Sequence, residues 1–153
     1  MSGIKGFTKS LYYEMLLTAK YMRMFGTQLF EQENIGINIE EFSTLDVIYC
    51  NPHICQRDLA KLILKDRANT GRLLDSLEDK NFIKRDLVER NNRPVKQISL
   101  TTQGEKFLLE TTKILKERFE EINQEIPEEE IIKTCQFLQK LRTLLAETIK
   151  TQI

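Results

Sequence analysis

Residues 56–101 read QRDLAKLILKDRANTGRLLDSLEDKNFIKRDLVERNNRPVKQISLT, and the rest of the chain is arranged around them. Over residues 66–80, Leu73, Leu74 and Leu77 recur at helical spacing and turn one face inward, leaving Arg67, Asn69, Arg72 and Asp75 on the others. Asn81 stands just past this helix, where a residue tolerant of left-handed dihedrals is wanted. Over residues 56–64, Leu59, Ala60, Leu62 and Ile63 point toward the same core. Cys55 takes the cap position, and Asp58 places negative charge in the first turn, where it suits the helix dipole. Helix, short turn and a second helix with a polar outer face is the helix-turn-helix arrangement. The second helix has the length and polarity to lie in a DNA major groove.

A hairpin follows. Residues 83–88 and 95–100 are the strand candidates, the second alternating apolar with polar. Between them Glu89-Arg90-Asn91-Asn92-Arg93-Pro94 reads as the turn, with two arginines at its tip. A guanidinium there can contact phosphate or enter a narrow minor groove.

Three stretches, QRDLAKLI, DRANTGRLLDSLEDKNFIKR and NRPVKQISLTTQG, resemble the DNA-binding core of the MarR family, the multiple-antibiotic-resistance type of bacterial transcriptional regulators. The recognition-helix arginine of that family is matched by Arg72. Its wing usually reads Asp-Arg-Arg where this chain has Asn92-Arg93-Pro94, so one wing arginine is retained. The frequent threonine before the helix arginine is Gly71 here, and the usual glycine after the helix is Asn81. The resemblance implies a mainly α fold with a small β wing: a winged helix-turn-helix over residues 36–101, with long helices at 5–34 and 102–153 forming a dimerisation region.

Bulk properties agree with one chain of this kind. The 153 residues suggest a single domain with helical extensions, and an apolar content of 41% supplies an ordinary core. No long apolar run occurs, and MSGIKGFTKS has no apolar signal-like region, so neither a membrane span nor secretion is expected, and a cytoplasmic location is. Three cysteines, an odd number, argue against a disulfide framework. Net charge is zero, but its distribution is uneven. Residues 56–97 hold eleven Lys/Arg against seven Asp/Glu, a balance of +4, so the remainder carries 12 against 16, or −4. A basic module on acidic flanks fits a nucleic-acid binder.

Outside the core, residues 7–33 read as one helix, with Leu11, Met15, Ala19, Met22, Phe25 or Gly26, and Leu29 on a stripe. Residues 39–50 form a second helix, ended by Asn51-Pro52. Thr102-Gln103-Gly104-Glu105 has the spacing of a capping box and opens a helix to about residue 124, with Leu108, Thr111, Leu115, Phe119 and Ile122 on one face. Pro127 and three glutamates start the last helix, whose stripe runs Ile131, Cys135, Leu138, Leu141 or Arg142, Leu145 and Ile149. Three long apolar stripes exceed what one winged helix can cover, which implies pairing with a second copy.

The expected function is therefore a homodimeric, sequence-specific DNA-binding regulator, a repressor by default, acting without a cofactor or catalysis. Two recognition helices on successive major grooves lie roughly 34–36 Å apart and call for a pseudo-palindromic operator in double-stranded DNA. Arg67, Asn69, Thr70 and Arg72 are placed against base edges or phosphates. Arg suits guanine, and Asn can pair with adenine. Arg90 and Arg93 are assigned to the flanking minor groove, and Lys61, Lys65, Lys84 and Lys96 to phosphates. The family resemblance further implies a small phenolic or lipophilic effector, held by walls that would include Tyr12, Met15, Ala19, Phe42 and Phe107. Plain core packing is the competing reading of these five. Cys50 and Cys135 lie on apolar stripes and are expected to be buried. Cys55, at a helix start two residues after His53, is the candidate for an alternative, thiol-based redox sensing. The three groups Cys50, His53 and Cys55 are too few for a zinc site. A winged helix used only for protein contacts is the remaining alternative.

Overall fold

The computed structural model describes residues 6–149. A short 3-10 turn, Phe7–Lys9, precedes α1, Leu11–Gln32, which is capped by the Ser10 side chain accepting from the Tyr13 N–H. There follow α2 (Ile39–Cys50), β1 (Ile54–Cys55), α3 (Gln56–Leu62), α4 (Arg67–Asp79), β2 (Ile83–Arg90), β3 (Arg93–Leu100), α5 (Thr102–Asn123) and α6 (Glu128–Thr148). The described residues fall into two compact units, up to Ser43 and from Thr44 onward. The division lies inside α2.

In the first unit α1 and α2 approach closely. A Cβ on Gly26 would lie 2.0 Å from the Ile39 side chain, and the Phe30 and Phe42 rings meet edge to face at 5.8 Å. Helix α2 opens with a reciprocal box that the sequence reading did not identify. The Asn38 side chain accepts from the Glu41 N–H, and the Glu41 carboxylate accepts from the Asn38 N–H, which satisfies two orphan donors of the first turn.

The second unit holds most of the buried apolar side chains. Leu45, Ile48, Leu59, Leu74, Leu77, Ile83, Ile98 and Leu108 are almost wholly buried. In α4 the buried positions are Thr70, Leu73, Leu74 and Leu77, the i, i+3, i+4, i+7 face of a helix. In α3 Leu59 and Ala60 are buried, but Leu62, expected inside, is exposed. Helix α3 ends at Leu62 itself, and the next residue, Ile63, is half-buried. The helix end is closed by Lys65 N–H donating to the Ala60 carbonyl at 3.0 Å around Leu64, which sits at φ 54. The same closure follows α4, where the Phe82 N–H donates to Leu77 at 3.0 Å around Asn81 at φ 58.

The sheet has strand order β1-β3-β2, antiparallel throughout. The two-residue β1 was not foreseen, being too short to show alternation. It pairs Ile54 with Ile98 and Cys55 with Gln97, tying the start of α3 to the hairpin. Helix α5 is capped by Thr101, one residue before the expected Thr102, with its hydroxyl accepting from the Gly104 N–H at 2.9 Å. That hydroxyl also donates to the Asn81 carbonyl at 2.7 Å. A single group therefore joins the end of α4 to the start of α5. No helix of the described residues is long and apolar enough to cross a membrane.

Candidate nucleic-acid interface

The outer face of α4 is made by the positions its core stripe leaves over. Arg67, Asn69, Arg72 and Asp75 are all exposed. The helix begins at Asp66, whose Oδ1 accepts the Asn69 N–H at 2.8 Å, an N-cap of the ordinary aspartate kind. Gln56, at the head of α3, donates through Nε2 to the Arg67 carbonyl at 3.5 Å and helps to set the two helices against each other.

The side chains of this turn form a chain of their own. Asn69 Nδ2 donates to Asp66 Oδ2, and Asn69 Oδ1 accepts from Arg72 Nη2 at 2.5 Å. The backbone N–H of Asn69 is the main cause holding the Asp66 carboxyl below its usual range, and the Asn69 side chain adds to it.

Residues 83–100 form the wing. Strands β2 and β3 pair without interruption from Ile83↔Leu100 to Arg90↔Arg93, so the loop is two residues, Asn91-Asn92, where the sequence suggested six. Both asparagines have positive φ, 52 and 57, which is the type I′ hairpin turn. Pro94 is accommodated because it pairs with Glu89, one step from the turn-closing pair. At that step the strand's N–H side faces away from β2, so no ladder bond is lost. Arg90 and Arg93 are the last opposed residues and both are exposed.

Arg85 was not singled out from sequence, yet it links the wing to α4. Its Nε donates to Glu78 Oε2 at 2.9 Å, and its Nη2 donates to both Glu78 and Asp75, the latter at 2.7 Å. The Glu78 carboxyl is held below its ordinary value of 4.5, first by the hydrogen bond from Arg85. A depressed folded-state value means that this link adds stability above the unfolded-state value and loses it as pH falls through the folded one. Arg85→Met should therefore lower stability by about 1 kcal/mol at neutral pH, since the pair is partly exposed and screened. The gap to the unsubstituted protein, followed by denaturant midpoint against pH, should close in acid once Glu78 is protonated. A gap that stays constant into strong acid would show that the pair contributes nothing.

Several sequence-derived placements change. Thr70, expected at the DNA surface, is 0% exposed, and its hydroxyl donates to the Asp66 carbonyl at 2.8 Å. It lies on the same helical face as Leu73, Leu74 and Leu77, so its side chain belongs to the core. Of the phosphate candidates, Lys61, Lys84 and Lys96 are exposed, Lys65 is half-buried, and Lys84 pairs with Asp86 at 3.2 Å. Tyr12 and Ala19 are exposed on α1 and Met15 is half-buried. The Phe42 ring is taken up by Phe30, and the Phe107 ring stacks on Phe82 at 4.4 Å. Both phenylalanines are half-buried. Cys50 and Cys135 are exposed rather than buried: Cys50 ends α2 off the buried face of Thr44, Leu45 and Ile48, and α6 buries none of its residues within the protomer. Cys55 is half-buried, and its Sγ donates to the Asp58 carboxylate at 3.1 Å. Among the described residues no three His, Cys, Asp or Glu side chains are grouped so as to hold a metal ion.

A helix-turn-helix with an arginine-bearing outer face, followed by a hairpin ending in two more arginines, defines the class: a winged helix-turn-helix transcriptional regulator. Residues 37–95, the helix-turn-helix and most of the wing, match the sequence model described as the MarR family. Among solved structures it is similar to MepR of S. aureus in complex with DNA, with 27% identity over 92% of this chain and 99% of that one, at a TM-score of 0.73. It shares the fold of a MarR/EmrR family transcriptional regulator from Acinetobacter sp. ADP1, at 20% identity, 89% and 94% coverage and a TM-score of 0.76. It likewise shares the fold of wild-type apo MarR from E. coli, at 20% identity, 86% and 96% coverage and a TM-score of 0.70. No curated protein sequence matches it.

Proposed function

We propose that the protein works in the cytoplasm as a homodimeric repressor that binds a pseudo-palindromic site in double-stranded DNA and is released by a small effector. The observation that carries the reading is the exposed face of α4, with Arg67 and Arg72 beside a wing tip bearing Arg90 and Arg93. The DNA complex of MepR, a protein similar over nearly the whole chain, supports it. Helix α4 enters the major groove, where Arg72 meets base edges. The wing arginines reach the flanking minor groove, and Arg67, Lys61, Lys65, Lys84 and Lys96 meet phosphates. The dimer rests on the apolar residues of α1, α5 and α6. Of nineteen exposed large hydrophobic residues among those described, twelve lie on these three helices. The effector would act by favouring dimers whose helix spacing misfits the operator. The role is regulation by occupancy of a site, not catalysis.

Selection of bound sequences from random duplex DNA should return two inverted half-sites with centres one helical turn apart, roughly 34–36 Å. Affinity for the selected duplex should fall linearly with salt on a log–log scale, with a slope near 0.9 per phosphate contacted, about. A flat salt response, or no enriched sequence, would leave the winged helix as a protein-contact module.

A further inference from the structure

Asn69 stands where an asparagine could read adenine, but its amide is already engaged at both ends. The chemistry of the two neighbours fixes which way the amide points. Only Nδ2 can donate to the Asp66 carboxylate, and only Oδ1 can accept from the Arg72 guanidinium. To read adenine bidentately, Asn69 would have to present its second N–H and second lone pair along one amide edge while both neighbours hold the amide in place. Asp66 is itself anchored by the Asn69 N–H, so the carboxylate, the amide and the first turn of α4 brace one another. Arg72 uses Nη2 on Asn69 and keeps the remaining donors of its fork for a base.

Resting on the DNA-binding reading above, we propose that Asn69 is a relay rather than a base reader: Asp66 fixes its amide, the amide aims Arg72, and the recognition helix reads guanine through Arg72. Asp66 and Asn69 are positioning residues, and Arg72 is the group that touches the base. The half-site then contains a guanine whose N7 and O6 face Arg72, and no adenine whose selection depends on Asn69.

The test compares base preferences, obtained by selection from random duplexes, for the unsubstituted protein and for Asn69→Ala, Asp66→Ser and Arg72→Ala. Serine keeps the helix cap but removes the carboxylate, so α4 stays folded. The preference for one guanine per half-site should fall about tenfold in Asn69→Ala and by a similar factor in Asp66→Ser, within the range that one bidentate contact supplies. It should vanish in Arg72→Ala. The double variant Asp66→Ser with Asn69→Ala should be no worse than either single one, because the two residues act in series. Replacing that guanine by 7-deazaguanine should weaken the unsubstituted protein and leave Arg72→Ala unaffected. Loss of an adenine preference in Asn69→Ala, with the guanine preference intact, overturns the relay while leaving DNA binding in place. An unsubstituted protein that enriches no sequence overturns the DNA-binding reading and the relay with it.

Discussion

Gly104→Ala should be among the most damaging single-methyl changes in the protein, lowering stability by roughly 3 kcal/mol or more. A Cβ at this position would sit 1.9 Å from the Phe82 carbonyl oxygen, 2.7 Å from its carbon and 3.0 Å from its Cα. These are backbone atoms and cannot swing aside as the end of a side chain can. Every neighbouring bond depends on their position. The Thr101 N–H donates to that same Phe82 carbonyl at 3.0 Å, the Thr101 hydroxyl bridges Asn81 and Gly104, and the Phe82 ring stacks on Phe107. Relieving the clash must lift the first turn of α5 off the junction between α4 and β2. Typical domain stability is only about 5–15 kcal/mol, so the loss is a large share of it. Gly36→Ala is the control: a Cβ there meets nothing within 4 Å, and the substitution should be neutral or slightly stabilising. Denaturant midpoints of both variants, at one protomer concentration, decide the matter. Equal midpoints would mean that α5 does not hold this position.

Phe137→Glu combined with Leu145→Glu should leave a folded monomer that has lost most of its DNA affinity. Helix α6 buries none of its residues within the protomer, and these two side chains are 44% and 42% exposed. Covering a residue of this size contributes about 1.5–3 kcal/mol, whereas a glutamate there would have to be desolvated. The exchange should cost little in the isolated protomer, so far-ultraviolet circular dichroism should not change. Sedimentation should give 18.0 kDa in place of twice that mass. With one recognition helix per particle, affinity for a two-half-site duplex should drop by about 10²–10⁴-fold, the usual gain from linking two binding modules. A variant that remains dimeric would place the protomer contact elsewhere, and an unsubstituted protein that sediments as a monomer would remove it.

Much of this architecture was legible in the chain. Helix α2 runs over residues 39–50 as its apolar spacing and the Asn51-Pro52 break required, and Asp66, Asn81 and Pro127 mark helix ends as their local chemistry predicts. The errors have physical causes. Pro94 looked like a strand breaker, but the open side of β3 tolerates a residue without an N–H, so the hairpin is longer and its turn tighter than read. Thr70 was placed against base edges or phosphates, although its spacing from Leu73, Leu74 and Leu77 already put it on the inner face. A threonine can be buried when its hydroxyl finds a carbonyl one turn back. The link from Arg85 to Glu78 and Asp75 joins residues seven and ten apart across a turn, and no local pattern announces it. The same holds for the relay through Asn69. Its residue types and spacing were visible, but which of its polar atoms stay free for a base depends on where the side chains turn.

The type I′ turn has a consequence for how the wing responds to its surroundings. With only two residues between the strands, Arg90 and Arg93 stand directly opposite each other, and like charges so placed repel. In the free protein, dissolved ions screen that repulsion and let the hairpin end close up. A polyanion held between the two guanidinium groups does the same more strongly and locally. Ionic strength therefore calms the unoccupied tip, and under the proposed binding mode it would also prise the tip from a bound strand.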